Sequence, residues 1–217
     1  MRKIKQDLPQ PYLFELQYFP CIYFFTVLAN APVTIEAHEH YQKRSLRNKC
    51  IITSAQGPLV LSVPLKKGKH NQQLITDVAI AYDEPWKEKH LRSLKTAYQS
   101  APFFDHYFPE IRNLYADPGE YLFAFNWFVL DFLLTVFQLP KPSRTTQYEK
   151  ITAGIDLRGV ITPRTFDKIH VPAYSQVFED RLGYISNPSI LDLLFCLGPE
   201  ASVYFNKAIA SIVQCVR

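Results

Sequence analysis

Hydrophobic and polar positions change their period along the chain. Residues 8–32 read as a Pro-bounded turn (LPQPY), an aromatic amphipathic helix and a second turn at ANAP. VTIEA (33–37) is β-branched and alternating, which predicts a strand. CIITSAQGPLVLSVPLK holds two β-rich runs parted by Ala55-Gln56-Gly57, a hairpin signal in which Gly57 can take positive φ. Leu59, Leu61, Val63 and Leu65 fall on one face of its second arm. KKGKHNQQ (66–73) predicts a solvated loop and DVAIAY (77–82) another strand. From Pro85 the period becomes helical: Leu91, Leu94 and Tyr98 form an apolar stripe that Pro102 ends. FFDHYFPEIRNLYAD predicts a second, Pro-interrupted helix.

A long apolar helix follows, from about 118 to 138, with Asp117 as expected N-cap, Pro118 at the first helical position and Glu120 closing a capping box. It is expected to be the central buried helix, with Asp131 held by a buried partner because a carboxylate inside an apolar helix needs one. Residues 140–187, rich in Thr, Pro and Tyr, read as irregular surface. SNPSILDLLFCLGPEASVYFNKAIASIVQ predicts two short helices, the first closed by Gly198. Strands early and helices late predict an α+β fold, a small mixed or antiparallel sheet packed with a helical C-terminal half, in a single domain spanning 1–217.

Composition narrows the function classes. The 217 residues carry 24 basic and 20 acidic side chains, a formal +4 that is too mild for a duplex nucleic-acid binder, so no nucleic-acid partner is expected. Only 7 Gly occur, with no G-x-G-x-x-G and no G-K-[ST], so no Gly-rich phosphate loop and no cofactor is expected. Cys21, Cys50, Cys196 and Cys215 lie far apart, which fits a reducing cytoplasm better than a disulfide scaffold. MRKIK before IYFFTVLANA imitates a signal peptide, but Asp7, Pro9, Pro11, Glu15 and Pro20 interrupt it, so a retained N-terminus is expected. EYLFAFNWFVLDFLLTVFQL (120–139) approaches the length of a membrane span. Asn126 and Asp131 break it, and a mid-span charge costs about 2.5–3.5 kcal/mol, so no span is expected.

The chemistry concentrates in HEHYQKRSLRNKC (38–50). As a strand it is polar on both faces, so it is either an exposed loop or the wall of a site. As a wall, Lys43 and Arg47 would neutralise a phosphate or carboxylate, and His38, with Glu39 nearby, would move a proton. His38 and His40 share a strand side, but no third ligand stands at a recognisable spacing, so no metal is expected. In WKEKHLRSLKTAY a helix aligns Trp86, His90 and Ser93 along one stripe. His90 is then either a hydrogen-bonded boundary residue or part of a site. The polar segment is expected to line a pocket together with that helix. Replacing Lys43 and Arg47 by Ala is expected to weaken anion binding while barely changing stability.

HEHYQKRSLRNKC, LSVPL, PWKEKHLRSLKTAYQSAPFFDHY, LFAFNWFVL and YSQVFEDRLGYISNPSILDLLFCLGPEA together resemble the WbqC-like protein family, in order from about residue 8 to 201, especially its Bacteroidetes form. The family is named for a protein of bacterial O-antigen gene clusters, and its members are described as uncharacterised or as transferases on amino-sugar precursors. The resemblance matches His38, Glu39, Tyr41, Lys43, Ser45, Arg47 and Asn48 to the family run H-E-x-Y-x-K-x-S-x-R-N; His40 stands where relatives have Asn. Of the family opening Q-P-x-Y-L-P-W-x-G-Y-F, Gln10, Pro11, Tyr12 and Leu13 are kept, while Phe14, Glu15 and Gln17 replace Pro, Trp and Gly.

The resemblance implies a cytoplasmic transferase on a small anionic, nucleotide- or phosphate-activated substrate of cell-surface glycan (lipopolysaccharide) metabolism. Its expected catalytic groups are His38, Glu39 and His90, and its binding groups are Tyr41, Lys43, Ser45, Arg47, Asn48, Trp86 and Ser93. The alternatives are a non-catalytic anion or sugar-phosphate binding module and a structural partner in an envelope-biogenesis assembly.

Overall fold

The structure, a computed structural model, describes residues 11–68, 72–148, 150 and 154–212, with side chains described to residue 208. The basic start of the chain, part of the 66–73 loop and Cys215 lie outside the described residues. The fold is α+β, as expected, but the sheet is built differently. Among the described residues β1 (Tyr12–Glu15), β2 (Val33–Glu36), β5 (Ser143–Arg144) and β6 (Ile155–Asp156) form a parallel sheet in the order β5-β2-β1-β6. The reading of the aromatic run as one helix is corrected: YLFE at its start is a strand, and α1 (Ile22–Asn30) joins it to β2 as a βαβ unit, while most of the LPQPY turn lies outside the described residues. Ile22 to Leu28 are all buried, so α1 is apolar on every side and lies within the core.

The 140–187 stretch is corrected too. It is mostly irregular, yet it supplies both outer strands of the sheet, each two residues long. β3 (Lys49–Ser54) and β4 (Gly57–Ser62) form the expected antiparallel hairpin as a separate sheet, turning at Gly57 with φ 104°. Leu61 and Val63 are buried, but Leu59 is exposed. DVAIAY is not a regular strand; it makes isolated bridges, Leu65 to Ile80 and Ala79 to Tyr121, after a short turn at Ile75–Asp77.

Five helices follow the sequence periodicity, α2 (Trp86–Tyr98), α3 (Phe104–Leu114), α4 (Leu122–Phe137), α6 (Ile190–Leu197) and α7 (Ala201–Ile212), and the short α5 (Glu179–Leu182) is a turn of helix in the stretch read as irregular; α6 and α7 keep their place after it. α4 buries ten residues, but its start is later than expected. Asp117 accepts from the Gly119 N–H at 3.1 Å in the preceding loop and caps no helix. Asp131 is also corrected. Its side chain is 39% exposed and pairs at 2.8 Å with Lys141, which bears on the Trp127 ring 5.5 Å away. Water solvates this carboxylate, so no buried donor is required. Ser189 caps α6 through the Leu191 N–H, and Gly198 ends it at φ 52°, where a Cβ would meet the Phe103 ring at 2.6 Å. No described helix is long and apolar enough to cross a membrane. Cys21, Cys50 and Cys196 are free and buried.

Candidate functional site

Parallel strands bring their C-terminal ends to one edge, and in α/β sheets ligands gather there. Here that edge carries buried charge. Glu15 and Glu36 end β1 and β2, are paired in register, and are both fully buried. Glu36 accepts from the His38 N–H (2.8 Å), the Thr145 hydroxyl (2.8 Å) and Arg158 Nη1 (2.8 Å). Glu15 accepts from Gln17 Nε2 (3.1 Å) and the Gly159 N–H (2.8 Å). Arg158 also grips Asp156, at 2.6 Å through Nη2. Its hydrogen bonds to Asp156 lead the effects that hold the guanidinium firmly protonated.

The polar segment 38–50 enters this edge directly from β2 and divides into two parts. Its first half is strapped to residues 73–75, since the Ile75 N–H donates to the Glu39 carbonyl (2.9 Å) and the Tyr41 N–H to the Gln73 carbonyl (3.0 Å). There His40, Gln42, Lys43 and Arg44 are exposed, and Arg44 turns the chain at φ 60°. The second half goes inward: Ser45, Leu46, Arg47 and Asn48 are buried. Ser45 donates to the Gln42 carbonyl at 2.6 Å, closing the turn.

Arg47 is 0% exposed and meets Glu39, 3% exposed, in a two-pronged ion pair, Nε to Oε1 at 2.7 Å and Nη2 to Oε2 at 2.5 Å. Burial pushes the Glu39 carboxyl up, and the Arg47 hydrogen bonds oppose it. For Arg47 burial acts downward, but the Glu39 bonds and the Glu15 charge outweigh it and hold it protonated. Asn126 of α4 donates to the Arg47 carbonyl at 2.7 Å, anchoring the backbone. The Tyr41 hydroxyl donates to Asn48 Oδ1 (2.9 Å), and Asn48 donates to the Val63 carbonyl (2.8 Å). Arg47, Asn48 and Ser45 thus hold the wall, and the cleft surface falls to other members of the segment.

Over this wall opens a cleft of about 460 Å³ lined by Glu39, His40, Tyr41, Gln42, Lys43 and Tyr148. His38 is half-buried at the end of β2 and is not among its lining residues. The expected partnership with α2 is not formed at this cleft, because Trp86, His90 and Ser93 line no part of it. His90 is buried among Tyr18, Trp86 and Tyr115, with the Tyr18 hydroxyl 3.1 Å from Nδ1 and 2.5 Å from the Tyr115 hydroxyl. Burial lowers its pKa to about 4, against a hydrogen bond to the Ser62 backbone. Trp86 is buried with Nε1 unpartnered among the described residues, and Ser93 donates to the Lys89 carbonyl of its own helix (2.9 Å). Helical periodicity aligned these residues correctly, but Trp86 and His90 turn inward while Ser93 stays partly exposed.

The N-terminus of α1, where a βαβ unit commonly takes phosphate, is occupied by protein. The Cys21, Ile22 and Tyr23 N–H groups donate to Gln17 Oε1 (3.2 Å), the Pro188 carbonyl (3.0 Å) and Asn187 Oδ1 (2.8 Å). Leu13 to Leu28 are all buried, so the divergent opening, including Glu15 and Gln17, is an interior feature of this chain. Sequence reasoning missed Glu15, Glu36, Asn126, Thr145, Tyr148, Asp156 and Arg158. The available signal was a carboxylate at the end of an apolar run, in YLFE and again in VTIE. Among the described residues no three His, Cys, Asp or Glu side chains form a metal-binding group, so the carboxylates are read as ion-pair and hydrogen-bond acceptors.

A sequence profile of the WbqC-like protein family matches residues 15–161, which run from Glu15 at the end of β1 through β2, the polar segment and α2 to α4 to β6 and Arg158. No curated protein and no solved structure matches the chain.

Proposed function

The chain belongs to the WbqC-like protein family, and from that premise we propose that it is a single-domain cytoplasmic transferase of cell-surface glycan metabolism, taking an anionic, nucleotide- or phosphate-activated substrate in the cleft beside Lys43. One observation carries the reading: buried Glu15, Glu36, Glu39 and Arg47, with Arg158, converge beneath an open polar cleft at the carboxyl edge of a parallel sheet. Burying so many charges costs free energy that apolar residues would not, and such a cluster beside a cleft is what a functional site arranges. Lys43 and His40, both exposed on the lining, meet the anion. Glu39 accepts a hydrogen from a substrate hydroxyl or amine while Arg47 fixes its orientation. Of the two imidazoles expected to take a proton, His90 is sealed in the core, and the role is left to half-buried His38, which does not line the cleft but directly precedes its lining residue Glu39.

A second reading, a sugar-phosphate binding module without turnover, is favoured by a separate observation. Arg47 is committed to Glu39 and His90 is enclosed, which removes two of the expected working groups. Thermal-shift and calorimetric titration with nucleotide sugars and acyl donors separates the readings. A ligand at 100 times its Kd adds about 2.7 kcal/mol of stability. The transferase reading expects turnover that His38→Ala abolishes while binding survives, and binding that Lys43→Ala weakens. Binding without turnover by the unaltered protein selects the module, and binding indifferent to Lys43→Ala defeats both.

A further inference from the structure

We infer that Tyr148 is a stacking platform for a nucleobase, so that the activated substrate of the cleft is a nucleoside diphosphate derivative and not a simple sugar phosphate. This rests on the reading of the cleft as an anion site and narrows it to one ligand class. Tyr148 lies just beyond β5, lines the cleft together with residues 39–43, and is 49% exposed. Tyr82, Tyr121 and Phe128 are exposed to a similar degree, and Tyr148 is the one of these four rings that lines the cleft.

The ring is nonetheless in contact with a fixed cation. The Arg158 guanidinium lies 5.1 Å from its centroid, and Arg158 is in turn fixed by Glu36 at 2.8 Å and Asp156 at 2.6 Å. Glu36 is itself locked by Thr145 and the His38 N–H, so buried ion pairs at the sheet edge support an exposed aromatic. An arrangement that fixes a ring without covering it suits a planar ligand, because stacking then costs little ordering of the protein.

The other wall supplies what the rest of a nucleotide needs. Lys43 offers a cation for a diphosphate, and Glu39 and Gln42 offer acceptors for ribose hydroxyls. The cleft volume, about 460 Å³, falls within the range of small-ligand pockets. With the α1 N-terminus closed by Gln17, Pro188 and Asn187, no backbone phosphate cradle is available there, and recognition passes to the side chains of the cleft.

Calorimetric titration with ADP, UDP and inorganic pyrophosphate tests this on the full chain and on Tyr148→Ala, Tyr148→Phe and Lys43→Ala. The unaltered protein should bind ADP or UDP at least about 5-fold more tightly than pyrophosphate, the lower end of what one stacked base contributes. Tyr148→Ala should lose about 5- to 150-fold in nucleotide affinity, the span of base–aromatic stacking, with pyrophosphate affinity unchanged. Tyr148→Phe should bind as the unaltered protein does, and Lys43→Ala should weaken all three ligands. Equal nucleotide affinity in Tyr148→Ala overturns the inference, as does a Tyr148→Phe defect equal to that of Tyr148→Ala. Pyrophosphate binding that depends on Lys43 but matches the nucleotides overturns the base platform alone. Failure of all three ligands to bind overturns the anion cleft with it.

Discussion

Arg47 is the residue whose role changes most between sequence and structure, and Arg47→Met puts that change to measurement. The side chain is 0% exposed and gives Glu39 two short hydrogen bonds, at 2.7 and 2.5 Å. Met fills much of the same volume but leaves the Glu39 carboxylate in the interior with no counter-charge, beside a second buried carboxylate at Glu15. Removing one member of a buried pair costs about 3–5 kcal/mol, a large share of the roughly 5–15 kcal/mol that holds a typical domain together. The double variant Glu39→Met/Arg47→Met removes the stranded charge and should recover most of that loss, a coupling of about 3 kcal/mol. Lys43→Ala, on the exposed half of the same segment, should stay within about 0.5 kcal/mol of the unaltered protein. Equilibrium urea denaturation of the four proteins, at low and high salt, gives the comparison; the buried pair should respond little to salt. Equal midpoints for Arg47→Met and Lys43→Ala would refute the reasoning, as would a double variant no more stable than Arg47→Met. The expectation that Lys43 and Arg47 could be replaced together at little cost to stability conflicts with the burial of Arg47.

Two further predictions concern buried polar groups away from the cleft. His90 has a folded pKa of about 4 against 6.5 for the free ring, so between those values the unfolded chain binds the proton first. Stability should therefore be full above pH 6.5 and fall by about 3 kcal/mol as pH drops to 4. Denaturation profiles of the unaltered protein and His90→Gln should diverge across that window, and parallel profiles would contradict the assigned burial. Asp192, fully buried on α6, accepts from Tyr98 (2.8 Å), Tyr174 (2.5 Å), Gln176 (3.2 Å) and Thr53, uniting β3, α2, α6 and the 174–176 loop. Asp192→Ala strands these donors and should cost at least about 3 kcal/mol, with Asp192→Asn losing less because the hydroxyls can reorient. A loss under about 1 kcal/mol for Asp192→Ala would show that water reaches the cluster.

Local pattern determined the helices of this protein. The 3.6-residue stripe of α2, the long apolar run of α4, the Pro and Gly punctuation around α6, and the hairpin turn at Gly57 are short-range features, and each sits within a few residues of where the sequence pattern predicts it. The sequence likewise marked 38–50 as a segment unfit for apolar burial, but its individual residues could not be sorted. Arg47 and Lys43 read alike as basic side chains; only the tertiary structure sends one into the core against Glu39 and leaves the other on the cleft rim. Of the parallel sheet only β2 was legible, for the same reason. β5 and β6 are two residues each, too short for any alternation to register, and they exist because β1 and β2 offer edges on which they pair. Glu15, Glu36 and Arg158 are distant in sequence and meet only when parallel strands align their carboxyl ends. Hydrogen bonds within a helix are set by neighbours along the chain. The partners of a buried charge are set by which strands the chain has already paired, so tertiary structure alone decides them.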